Sequence, residues 1–256
     1  MTDDNKTLGN EESFISHLIE LRSRLMKASI AVIAVFLLLA WKPGAGAIYD
    51  LLAYPMISAL PQGSKMIATG VITPFLIPIK VTMLVAFIIA LPWVLYQLWA
   101  FIAPGLYAHE KRLIAPLVIS SSLLFVAGVA FCYFMVFGVI FHFINNFAPH
   151  SISVAPDIDS YFGFVMTMFV AFGLTFEVPI VVIVLVRMGL VSVQKLRAIR
   201  PYVIVGAFVV AAVVTPPDVM SQLLLAVPLC LLYEIGLLVA PMFVKATQVP
   251  AESESI

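Results

Sequence analysis

Charge is scarce in this sequence, and so are the residues that most often carry enzymatic chemistry. Asp, Glu, Lys and Arg make up only 11% of the 256 residues, where soluble domains carry about a quarter. Histidine occurs at positions 17, 109, 142 and 150 only. These are too scattered to suggest a metal cluster, and no metal is expected. The two cysteines, Cys132 and Cys230, both fall inside apolar runs and read as small packing residues, not as a disulfide. There is no GxxxxGK[ST], no HExxH and no GxSxG, so nucleotide hydrolysis, zinc-dependent proteolysis and serine hydrolysis have no motif to rest on. An enzyme is not expected, nor a cofactor. No repeat of fixed period and no low-complexity tract is visible.

What is present is apolar. Hydrophobic residues make up 62% of the chain, which places it among polytopic membrane proteins. About 20 apolar residues cross a bilayer as a helix. Six candidate spans emerge, at about 25–41, 78–102, 113–143, 161–187, 202–215 and 219–240. They define an all-α membrane protein, a kinked and concave six-helix bundle over residues 25–240. An N-terminal tail precedes it (1–24), a larger loop lies at 42–77, and a tail follows (241–256). With both termini on one face, that face holds Lys6, Arg22, Arg24, Lys27, Lys111, Arg112, Arg187, Lys195, Arg197, Arg200 and Lys245. The other holds Lys42, Lys65 and Lys80. Positive charge concentrates on the cytoplasmic side, so both termini are expected in the cytoplasm. A cleaved leader is the competing reading, with basic residues at 22–27, an apolar run and "AGA" at 45–47. The long polar leader and the loss of an even span count speak against it.

Three irregularities stand out. The last two spans look short. Residues 202–214 reach only about 20 Å at 1.5 Å each, against about 30 Å of hydrocarbon. Either the bilayer thins, or water enters, or Arg200 and Pro201 extend the helix into the headgroups. Prolines at 92, 116, 179 and 228 should kink the spans that hold them. In the loop after span one, "IYDLLAYPMISAL" (48–60) reads as a short amphipathic helix broken at Pro55, forming a cap on the outer surface.

Two acids fall within spans, where a charge is costly. Glu177, in "FGLTFEVPIVV", is open to two readings: a polar face for a substrate or partner helix, or a buried acid hydrogen-bonded to Thr175, Gln97 or Gln222. Glu234 lies nearer the cytoplasmic end and reads more simply as snorkelling. In "TPPDV" (215–219), Asp218 is placed to cap the sixth helix.

Two further acids flank the spans on the cytoplasmic side. "FISHLIELRSRL" (14–25) repeats Phe14, Leu18, Leu21 and Leu25 at helical spacing, so an amphipathic helix is expected to run along the membrane surface into span one. Within it Glu20 and Arg24 stand at i, i+4, the spacing of an ordinary helix ion pair. In "GLYAHEKRLIAP" (105–116), Glu110 sits among His109, Lys111 and Arg112 and would at least neutralise them.

Several stretches, "SHLIELRSRL", "PQGSKMIAT", "YQLWAFIAPGLYAHEKR", "SYFGFVMTMFVAFGLTFEVP" and "KLRAIRPYVIVGAFVVAAVVTPPDVMSQLLLAVPLCLLYEIG", together resemble the TatC family over about residues 13–240. The resemblance implies the multispanning subunit of the twin-arginine translocase in a bacterial cytoplasmic membrane. Such a subunit binds the Arg-Arg pair of signal peptides. With single-span TatA- and TatB-like partners and further copies of itself, it exports folded proteins, powered by the proton-motive force. The lipid membrane is its other partner, and nucleic acid is not one. The resemblance places signal binding on Glu20 and Glu110, with Phe101, Leu106 and Tyr107 lining the site and Arg22, Lys111 and Arg112 beside the acids. Bidentate guanidinium–carboxylate pairing would separate Arg-Arg from Lys-Lys. It also matches Pro55 to a sensitive proline of the outer cap, Glu177 to an intramembrane acid, and Thr215, Asp218 and Gln222 to a patch where partner helices dock. Ala212 is smaller there than in some relatives. A solute transporter or a passive scaffold would leave Glu20 and Glu110 without a task.

Overall fold

The computed structural model describes residues 4–59, 65–102, 114–147, 155–216 and 218–243, with positions 4–15, 59, 145–147 and 243 described by their backbone alone. Among them no strand forms beyond one β-bridge, Ile67 to Asp157. Long apolar segments in lipid must satisfy every backbone N–H and C=O internally, and helices do so. The elements are α1 (Asp4–Trp41), α2 (Ala45–Ala59), α3 (Thr73–Ile102), α4 (Ile114–Phe131), a π-helical turn (Cys132–Val136), α5 (Phe137–Phe147), α6 (Ile158–Arg187), α7 (Val193–Ala198), α8 (Arg200–Val214) and α9 (Val219–Phe243). Five stretches are long and apolar enough to cross a membrane: Ser16–Trp41, Thr73–Ile102, Ile114–Ile144, Ile158–Arg187 and Val219–Met242. The sixth apolar helix, α8, has 15 residues.

The chain divides into two compact units, residues 1–173 and 174–256. In the first, α1 and α4 pack on α3, and α2 packs on α3 and α5. Aromatic rings fill its centre. Phe137 meets Phe169 at 5.3 Å and Phe141 at 5.5 Å, and Tyr49 meets Phe162 at 4.8 Å. The amphipathic stretch expected to run into span one does so within a single helix. α1 runs 38 residues, about 57 Å, because no helix breaker separates the amphipathic turns from the apolar ones.

Pro55 does not break α2, contrary to the sequence reading; the helix passes through it. A proline at position i leaves the carbonyl of i−4 without its donor. Here that carbonyl, on Leu51, accepts the Tyr133 hydroxyl at 2.7 Å. Tyr161 donates to the next carbonyl, Leu52, at 2.9 Å. Tyr133 lies in the π-helical turn, where the wider turn shifts the direction of side chains relative to a regular helix.

In the second unit the end of α6, α7 and α9 enclose Val182, Val186, Leu196, Tyr233, Leu237 and Ala240. Tyr233 donates to the Leu196 carbonyl at 2.9 Å. Gly236 is a contact point: a Cβ there would lie 2.8 Å from Pro179 Cα. After α6 the chain reverses at Gly189, whose φ of +70° suits a residue without Cβ. α8 begins at Arg200 with Pro201 in its first turn, yet is still only about 22 Å long. The sequence reading made both final helices short. That holds for α8 alone, since α9 extends over 25 residues. Its apolar run carries on through Pro241.

Candidate functional site

One end of the first unit gathers the candidate residues of α1 and α3. Glu20 and Arg24 are one turn apart on α1, and the pair is formed: Nε and Nη2 of Arg24 donate to Oε1 of Glu20 at 2.8 and 2.6 Å. His17, three residues before Glu20, lies on the same helical stripe. Its ring stacks on Phe101 near the end of α3, centroids 4.3 Å apart and planes 23° apart. The stripe carrying Glu20 is thereby held beside Phe101. Arg22, two residues on, is exposed on another face. Leu106, Tyr107, Glu110, Lys111 and Arg112 lie outside the described residues.

The α8–α9 hairpin collects a second group. Asp218 Oδ1 accepts the Ser221 N–H at 2.7 Å and caps α9. The buried Thr215 hydroxyl donates to the Ala211 carbonyl at 2.8 Å. Gln222 Nε2 donates to the Phe208 carbonyl at 3.2 Å. The first two bonds finish their own helix ends and the third, from Gln222, ties α9 to α8; Ala212 nearby is exposed. Only Ala207 and Ala211 of α8 are buried. Val205, Val209 and Val213, at successive turns, form an exposed apolar ridge. At the far end of the hairpin Arg200 Nη2 meets Glu234 Oε2 at 2.6 Å. That acid is held by a named partner, which the snorkelling reading did not include. Glu177 is half-buried on α6, two residues before Pro179, with Thr175 buried nearby in sequence.

Asp157 was not singled out from the sequence. Its Oδ2 accepts from Ser160 N–H and hydroxyl, capping α6, and its Oδ1 accepts from Thr69 N–H and hydroxyl at 3.1 and 2.9 Å. The Ser160 amide first, then Thr69, pull its pKa down to about 2. Ile67 accepts from the Ile158 N–H and donates to Pro156 beside it, and Lys80 reaches Asp159 at 3.4 Å. The segment before α3 is thus tied to the start of α6. An Asp three residues ahead of a Ser at a helix start carried the capping half of this signal; the Thr69 half is 88 residues away.

Among the described residues no group of His, Cys, Asp and Glu is arranged to hold a metal ion. The arrangement is that of a multispanning helical membrane protein.

Comparison with known proteins narrows this class. The family model for the Sec-independent protein translocase protein (TatC) matches residues 16–228. The TatC protein of Escherichia coli (strain K12) is 53% identical over 233 residues, 91% of this chain and 90% of that protein. The TatC protein of Haemophilus influenzae is 50% identical over 229 residues, 90% of this chain and 89% of that one. A crystal structure described as the twin arginine translocase receptor TatC superposes with a TM-score of 0.77 at 39% identity, covering 89% of this chain and 99% of that one. The chain belongs to the TatC family of protein translocase subunits.

Proposed function

We propose that this protein is the signal-peptide receptor and core subunit of a twin-arginine translocase. It lies in a bacterial cytoplasmic membrane with both termini in the cytoplasm. It binds the Arg-Arg pair of a signal peptide through Glu20 and Glu110, beside Phe101, Leu106 and Tyr107, with Arg22, Lys111 and Arg112 as neighbouring charges. With single-span TatA- and TatB-like subunits and further copies of itself it passes folded cargo outward, driven by the proton-motive force. Glu177, Thr215, Asp218 and Gln222 serve partner docking along the hairpin, and Pro55 serves the outer cap.

The observation that carries this reading is at Glu20. One of its oxygens, Oε1, already receives two N–H donors of a single guanidinium, a planar array of donors that a lysine ammonium does not present. Charge-assisted hydrogen bonds to the signal peptide, shielded from water by the seated ligand, contribute about 1.5–3 kcal/mol each. The test is binding of a labelled Arg-Arg signal peptide and its Lys-Lys twin to the protein in nanodiscs. Glu20→Gln and Glu110→Gln should each weaken Arg-Arg binding by about tenfold or more and erase the preference over Lys-Lys. Equal binding of both peptides to the wild type, or variants that behave as the wild type, would refute the assignment.

A further inference from the structure

Arg24 presents to Glu20 the same chemical group that an incoming signal peptide would bring. Its guanidinium engages one carboxylate oxygen through two donors. The pair is not sealed, with Arg24 and Glu20 side chains 23% and 37% exposed. Water, and therefore a competing cation, reaches it. The His17–Phe101 stack holds this face of α1 against α3, so an exchange of partners at Glu20 takes place beside a residue of the proposed binding surface.

We propose that Arg24 is an internal surrogate ligand, which occupies Glu20 in the empty receptor and is displaced by the arginine of the signal peptide. This rests on the reading of Glu20 as a signal-binding acid. Arg24 acts through Glu20 and is a positioning residue. In the empty state it keeps the carboxylate oriented. When cargo arrives, one guanidinium replaces another, so the charge balance of the site is preserved throughout. A lysine side chain brings a point charge against a planar fork and is the weaker displacer. The internal pair also lowers the receptor's affinity, because a ligand binds in full only to the fraction of molecules whose acid is open. An ion pair this exposed favours its closed state by a factor of about 1.4 to 5. Opening it permanently should therefore tighten signal binding roughly two- to sixfold.

The experiment measures Arg-Arg peptide binding to the full chain in nanodiscs for Arg24→Gln, Arg24→Lys, Glu20→Gln and the double variant Glu20→Gln/Arg24→Gln. Arg24→Gln should bind about two- to sixfold more tightly than wild type. Arg24→Lys should gain less, since lysine still offers Glu20 a charge. In the Glu20→Gln background, removing Arg24 should change nothing. A gain that persists there would mean that Arg24 merely repels the peptide, and would overturn the proposal. So would an Arg24→Gln variant that binds as wild type or more weakly while Glu20→Gln still loses affinity; the receptor reading would then stand without it. Should Arg24→Gln fail to fold, the Arg24→Lys gain, present with Glu20 and absent with Gln at position 20, decides alone. If Glu20→Gln binds as wild type, the reading of Glu20 itself has failed.

Discussion

The continuity of α2 through Pro55 rests on two tyrosines, and a double-mutant cycle tests this. Tyr133→Phe removes only the hydroxyl that serves the Leu51 carbonyl. This site is exposed, so water takes over part of the role, and the cost should be about 0.5–1.5 kcal/mol. Tyr161→Phe removes a buried hydrogen bond to the Leu52 carbonyl, which keeps Met56 as its helical donor, and should cost about 0.5–1.5 kcal/mol. The decisive variant is Pro55→Ala. It restores an N–H that can reach Leu51, so in that background Tyr133→Phe should be nearly neutral. The coupling between positions 55 and 133 should then be about 1 kcal/mol. Hydrogen exchange of the α2 amides in nanodiscs reads it, with about fivefold faster exchange for each kcal/mol lost. If Tyr133→Phe accelerates exchange equally in the wild type and in the Pro55→Ala background, the hydroxyl does not replace the missing donor and the account of α2 is wrong.

The Asp157 clamp has a depressed folded-state pKa. Its contribution should be complete above the unfolded carboxyl value of about 4 and fade as the pH falls toward about 2. Asp157→Asn should remove that pH dependence in an unfolding titration between those limits. Gly236→Ala places a methyl 2.8 Å from Pro179 Cα and should cost about 1–3 kcal/mol in thermal unfolding. Gly163→Ala, with no atom within 4 Å of the added carbon, should be close to neutral.

Hydropathy made most of the fold legible, because a lipid-exposed helix announces itself in composition, without any partner. The cap at Asp218 was legible for a similar reason: donor and acceptor are three residues apart. What the sequence concealed depends on distant partners. Pro55 looked like a break because the tyrosines that mend it are 82 and 109 residues from the carbonyls they serve. Glu234 looked like a lone acid because Arg200 is 34 residues away. At the candidate site the Glu20–Arg24 pair could be written from spacing alone, whereas the stacking of His17 on Phe101 needed α1 and α3 to be side by side. The passage of the amphipathic stretch into span one was legible, because amphipathic and apolar turns share one backbone geometry and no breaker parts them.

The unbroken α1 is also a ruler. Trp41, 89% exposed at its end, suits an interfacial anchor, and Glu20 lies 21 residues earlier. That is about 32 Å along the axis, close to the roughly 30 Å of hydrocarbon in a bilayer. With Trp41 at one interface, that length would bring the Glu20–Arg24 pair to the opposite water boundary with little to spare. A thinner membrane lets it stand clear, whereas a thicker one draws it toward the acyl chains or forces α1 upright. Bilayer thickness thus sets how readily the carboxylate exchanges one guanidinium for another.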